Sequence, residues 1–144
     1  MAKLINAAYN QGVLGVAAAG NDVSCTDRTP GRIPSCFTVA ASDRADNREF
    51  FSNWGPCVDA FVPGFDIYSA SVGSNTSTYF LLSGTSMATP HVAGLVAYLR
   101  AMRAEAPNIS AAATTQRIKD LALKGVIKDP RGSPNLLINN NSGA

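Results

Sequence analysis

Apolar residues along the chain fall into short continuous runs, separated by polar stretches rich in glycine, proline, serine and asparagine. Residues 2 to 11 have helical spacing: Leu4, Ile5 and Ala8, with Tyr9 beside them, share one face, and Gly12 closes the helix. No capping side chain precedes it, so the helix reads as one entered in its middle. Val13 to Ala19 is apolar throughout and stops at Gly20-Asn21, the pattern of a buried parallel strand. Residues 22 to 35 are polar and contain Pro30, Gly31 and Pro34, which predicts a surface loop. Further strands are predicted at Phe37–Ala41, Cys57–Val62 and Ile67–Ser71. Tyr79–Leu82 forms a hairpin with the last of these, across the polar stretch 72 to 78. Val92 to Leu99 is apolar on nearly all sides, which predicts a helix buried in a sizeable protein. Ser110 caps another helix over Ala111–Leu123, with Ile118, Leu121 and Ala122 inward and Gly125 ending it. Asn135–Ile138 is a last short strand, and the tail from Asn139 is expected to fray. Helices alternating with apolar strands give an α/β fold built on a mostly parallel sheet.

Composition narrows the functional classes. The 144 residues suffice for one domain with a core, and the formal net charge of +2 is too small to argue for nucleic acid. No run of 18 apolar residues exists, so nothing is expected to cross a membrane. No signal peptide is read at the start, since Met1-Ala2-Lys3-Leu4-Ile5-Asn6 leads directly into structured sequence. Three cysteines allow one disulfide and one free thiol.

The candidate chemistry lies in Ser83-Gly84-Thr85-Ser86-Met87-Ala88-Thr89-Pro90-His91-Val92-Ala93-Gly94. It reads as a tight turn feeding a helix. Gly84 permits a backbone other residues resist, and Pro90 suits a first helical turn. Ser86 would then sit where backbone N–H groups and the positive end of the helix dipole hold a developing negative charge. A plain N-cap role for Ser86 is the alternative. The only histidine, His91, lies five residues further on, about 140° around a helix from Ser86, and is not expected to act as its base.

This stretch closely resembles the nucleophile motif of the subtilisin-like serine peptidases, particularly the proteinase K and aqualysin branch. Val16-Ala17-Ala18-Ala19-Gly20-Asn21 is similar to a second family segment, and Phe51-Ser52-Asn53-Trp54-Gly55 with Val58-Asp59 to a third. The resemblance runs from Leu4 to Ile138. It implies a three-layer α/β fold with helices on both faces of the sheet. It implies Ser86 as nucleophile and Asn21 as oxyanion donor, a task suited to a side-chain amide that is neutral at every working pH. By the same resemblance Ala18, Ala19 and Gly20 wall the pocket for the residue before the scissile bond. A structural Ca²⁺ would rest on Asp59 and the carbonyls of Pro34 and Cys36, although Asp59 alone reads equally as a surface or turn-capping acid. Cys25 and Cys57 match a family disulfide that leaves Cys36 free, with a Cys25–Cys36 pair or three free thiols as alternatives. No cofactor is expected for the chemistry itself.

The family's Asp and His have no counterpart in residues 1–144. The chain is therefore expected to be the C-terminal part of a catalytic domain whose N-terminal part is missing, and to be inactive alone. The expected protein is a secreted serine endopeptidase with a polypeptide substrate, the missing half of its domain as partner, and no nucleic-acid or membrane contact. Two other readings stand beside it. One is a non-catalytic or vestigial binding relative. The other is a nucleotide-binding domain, which lacks both Gly-x-Gly-x-x-Gly and a Walker lysine.

Overall fold

The computed structural model describes residues 1–22, 29–72, 78–102 and 109–142. Helix α1 (Ala2–Asn10) leads to β1 (Gly15–Ala18), followed by β2 (Cys36–Ser42), β3 (Ala60–Pro63), β4 (Ile67–Ala70) and β5 (Tyr79–Leu82). Helices α2 (Thr85–Ala101) and α3 (Ala111–Leu121) follow, and short strands β6 (Leu123–Lys124) and β7 (Leu136–Leu137) end the order. The main sheet has the order β1-β2-β3-β7-β6; its first four strands run parallel, and β6 pairs antiparallel with β7. β4 and β5 form a separate antiparallel hairpin.

Strand β2 is buried along its whole length. Its alternating side chains therefore serve two layers. Phe37, Val39 and Ala41 meet Val92, Leu95 and Leu99 of α2 and Ile118 of α3. Ala40 lies on the other side with Ala19, Val58, Phe61 and Ile127. Cys36 and Ala17 are on that second side too, packed with Ile33 and approached by Ile5 of α1. The result is the expected three-layer arrangement, with α1 on one face and α2 and α3 on the other.

Several expectations are corrected. Leu4 does not face inward: it is 76% exposed, and no α1 residue is buried. Helix α2 is buried on one stripe only, through Thr85, Ala88, Val92, Leu95 and Leu99. Ala93, Gly94, Ala97 and Tyr98 on its opposite side are exposed, and among the described residues β1 pairs with a single neighbour, β2. Helix α3 stops at Leu121, because Ala122 turns extended and Leu123–Lys124 become a strand paired with β7. Gly125 (φ 76°) thus belongs to the turn after that strand. The Ser110 hydroxyl does cap α3, accepting the Ala113 N–H at 3.1 Å.

Candidate active site

Helix α2 begins at Thr85, directly after Gly84, and no side chain caps it. Gly84 has φ 157° and ψ 159°, a combination essentially restricted to glycine. Ser86 is thus the second helical residue and not the cap. It is exposed, and its N–H belongs to the first turn, where no intrahelical acceptor exists. The turn rests on Gly64, whose carbonyl accepts the Gly84 N–H at 2.8 Å. A Cβ on Gly64 would lie 2.7 Å from Ala41 Cβ and 2.9 Å from the Gly84 carbonyl oxygen, so this approach requires glycine.

Pro90 falls inside the helix, in its second turn, and not at its start. It has no N–H for the carbonyl four residues back, that of Ser86. Side chains bond the carbonyls on either side of that one: the Thr89 hydroxyl donates to Thr85 O at 2.8 Å, and His91 Nδ1 lies 2.9 Å from Met87 O. A carbonyl only accepts, so Nδ1 carries the proton. His91 shares a cavity with Ser86, Met87, Ile67 and Leu82, yet no hydrogen bond joins it to Ser86 among the described residues. The geometry gives it a structural bond to its own helix.

Asn21 follows the C-terminal end of β1 and reaches the same turn. Its Oδ1 accepts the Thr85 N–H at 3.1 Å and the Thr85 hydroxyl at 2.9 Å, while that hydroxyl accepts the Gly20 N–H at 3.2 Å. With Oδ1 committed, the amide's donor end, Nδ2, is left for another partner. Nδ2 and the Ser86 backbone nitrogen both lie around one point, 3.4 Å and 3.7 Å from where a Gly84 Cβ would stand. Two N–H donors beside an exposed hydroxyl are what stabilising an oxyanion at an attacked carbonyl requires.

The loop carrying Asn21 is braced from below by Asn53, which is fully buried. Its Nδ2 donates to Ala19 O at 2.8 Å, its Oδ1 accepts the Asp22 N–H at 2.7 Å, and its own N–H donates to Gly20 O at 2.9 Å. Both Thr85 and Asn53 lie inside the family-like segments, but nothing in the residue pattern marks them for these roles.

The stretch expected to wall the substrate pocket differs in burial from residue to residue. Ala18 and Gly20 are half-buried beside the site, but Ala19 is fully buried, with its side chain in the core against Ala40 and Phe61. Successive strand residues alternate sides, so Ala19 presents no side-chain surface to a ligand. Pro34, Cys36 and Asp59 line one cavity, together with Arg32 and Cys57. Cys36 is a free, buried thiol. Burial raises its pKa, and the Asp59 charge raises it further. Cys25 lies outside the described residues, as do the turn residues 73–77. No described helix is long and apolar enough to cross a membrane.

Comparison with known proteins gives one consistent picture. Residues 1–140 match the model of the subtilase family, Peptidase S8. Alkaline protease 1 of Emericella nidulans is 52% identical over 134 residues, covering 92% of this chain and 32% of that protein. Subtilisin-like protease 2 of Pseudogymnoascus destructans is 42% identical, covering 97% and 34% respectively. A crystal structure of a cold-adapted subtilisin-like serine proteinase superposes with a TM-score of 0.88 at 36% identity, over 96% of this chain and 49% of that one. The chain thus spans about a third of the length of these curated relatives and about half of the solved structure.

Proposed function

The chain belongs to the subtilase family, and from that premise we propose that it supplies the nucleophile and oxyanion donors of a serine endopeptidase, as the C-terminal part of the catalytic domain. The observation carrying the proposal is the Thr85-held Asn21 amide beside the exposed Ser86. The Ser86 hydroxyl attacks a peptide carbonyl, and Asn21 Nδ2 with the Ser86 N–H receives the negative charge on its oxygen. The proton leaves through a histidine oriented by an aspartate, both contributed by the remainder of the domain.

Residues 1–144 alone are expected to be inactive. Loss of the triad histidine costs about 10⁶ in rate in the family's reference case. The exposed side of α2 and the free edge of β1 are proposed to receive that remainder, in keeping with the 49% of the solved relative that this chain spans. With Cys36 free, the proposed disulfide is Cys25–Cys57, which suits an extracellular protein. Hydrolysis of a denatured protein substrate by the full-length protein, abolished in Ser86→Ala, tests the proposal. Undiminished hydrolysis by that variant would refute it.

A further inference from the structure

The family resemblance implies a structural Ca²⁺ on Asp59, and the three residues it names do converge on one cavity. The carboxylate itself does not fit that role. Its Oδ1 lies 2.6 Å from Nζ of Lys119 on α3, and its Oδ2 accepts the Thr38 N–H at 2.8 Å. Both oxygens are engaged, one of them by a full positive charge.

Calcium takes oxygen ligands at about 2.3–2.6 Å, the distance at which the ammonium already stands. An ion on the same oxygen would meet Lys119 at close range. The pair is only 31% and 21% exposed, so solvent screens that repulsion incompletely. The rest of the cavity offers no compensating charge. Arg32 lines it, and no group of three or more His, Cys, Asp or Glu side chains converges among the described residues. Lys119 is also well placed for its contact. Its ammonium lies 5.9 Å from the centroid of the Phe37 ring, whose face adds a cation–π attraction.

We propose that the Lys119 ammonium is the resident counterion of Asp59, in the place a dissociable metal would take. The cation is then tethered to α3. It ties that helix to the segment entering β3 whatever the free Ca²⁺ concentration.

The test counts Ca²⁺ bound per full-length protein by equilibrium dialysis, in wild type and Asp59→Asn. Asp59→Asn is expected to bind as many ions as wild type. Loss of an ion in Asp59→Asn would put a metal on the carboxylate and overturn the proposal. Thermal melts in excess EDTA give a second reading, in case one variant fails to fold. Lys119→Met should melt below wild type there, and Lys119→Arg should recover most of the difference. Equal melting of wild type and Lys119→Met in EDTA would contradict the assignment.

Discussion

The Oδ1 atom of Asn21 accepts two hydrogen bonds from Thr85, one from its backbone N–H and one from its hydroxyl. Thr85 is buried and immediately precedes the exposed Ser86. The loop after β1 and the first turn of α2 are thereby locked together, although 64 residues separate them in sequence. Under the proposed function, the oxyanion donor is aimed by the residue next to the nucleophile.

Thr85→Val keeps the shape and the backbone bond but removes the hydroxyl. In the full-length protein, if it is the proposed peptidase, it should lower kcat by about tenfold with little change in KM, because the donor is misaimed and not lost. Asn21→Ala removes the donor outright and should cost about 10²–10³ in kcat, a range itself measured on a subtilisin. Steady-state kinetics on both variants would distinguish aiming from donation.

Gly64→Ala would bring its Cβ to 2.7 Å from Ala41 Cβ and 2.9 Å from the Gly84 carbonyl. The second contact is with backbone, which has little room to yield. Overpacking of this kind costs about 1–3 kcal/mol. The displaced turn should also reduce kcat/KM, and denaturant unfolding run alongside the activity assay would register both effects.

Asn53 makes three bonds to the Ala19–Asp22 stretch and is completely buried. Asn53→Leu removes both side-chain bonds and leaves Ala19 O and the Asp22 N–H without that partner. Leaving a buried polar group such as Ala19 O without its partner costs about 1–3 kcal/mol. A fall in stability of that order is expected, with activity lost at temperatures where the protein is still folded. Urea unfolding measures the first effect and peptide hydrolysis the second.

Asp43 organises the turn after β2. Its Oδ1 accepts the Ala45 and Asn47 N–H groups, both at 2.8 Å, and its Oδ2 accepts the Asn47 side-chain amide at 2.7 Å. The Asn47 side-chain bond is the largest influence on its pKa, which is held below the ordinary 3.8. The fold favours the ionised form, so this contribution is complete above the ordinary carboxylate range. It is lost as pH falls through the lowered folded value. Asp43→Asn should be less stable than wild type by about 1 kcal/mol at neutral pH. The gap should close at acid pH in unfolding curves taken from about pH 7 down to about pH 2.5.

Much of this was legible in the sequence. The continuous apolar run at Phe37–Ala41 marked a strand covered on both faces, and β2 is buried throughout. The motif around Ser86 placed a helix start beside a glycine turn, and Ser110 announced α3. Other features left weaker traces. Apolar residues all around α2 signal burial but not what does the burying, and within this chain only one stripe is covered. Helical spacing put Leu4 on the apolar face of α1, yet it is Ile5 that packs against the Ala17 and Cys36 cluster. The burial of the Ala19 side chain was readable from strand alternation, which sends adjacent side chains to opposite sides. The Lys119–Asp59 contact was not readable, because a pairing between distant charged residues has no period in sequence.

The most direct measurement is labelling with a fluorophosphonate probe, read by peptide mass spectrometry, on the full-length protein and on residues 1–144 alone. Rapid labelling of the full-length protein at Ser86, with none on the isolated chain, is the predicted result. It would mean that this half holds the nucleophile and the other half activates it. Stoichiometric labelling of the isolated chain at Ser86, or labelling of the full-length protein at another serine, would contradict that division of labour.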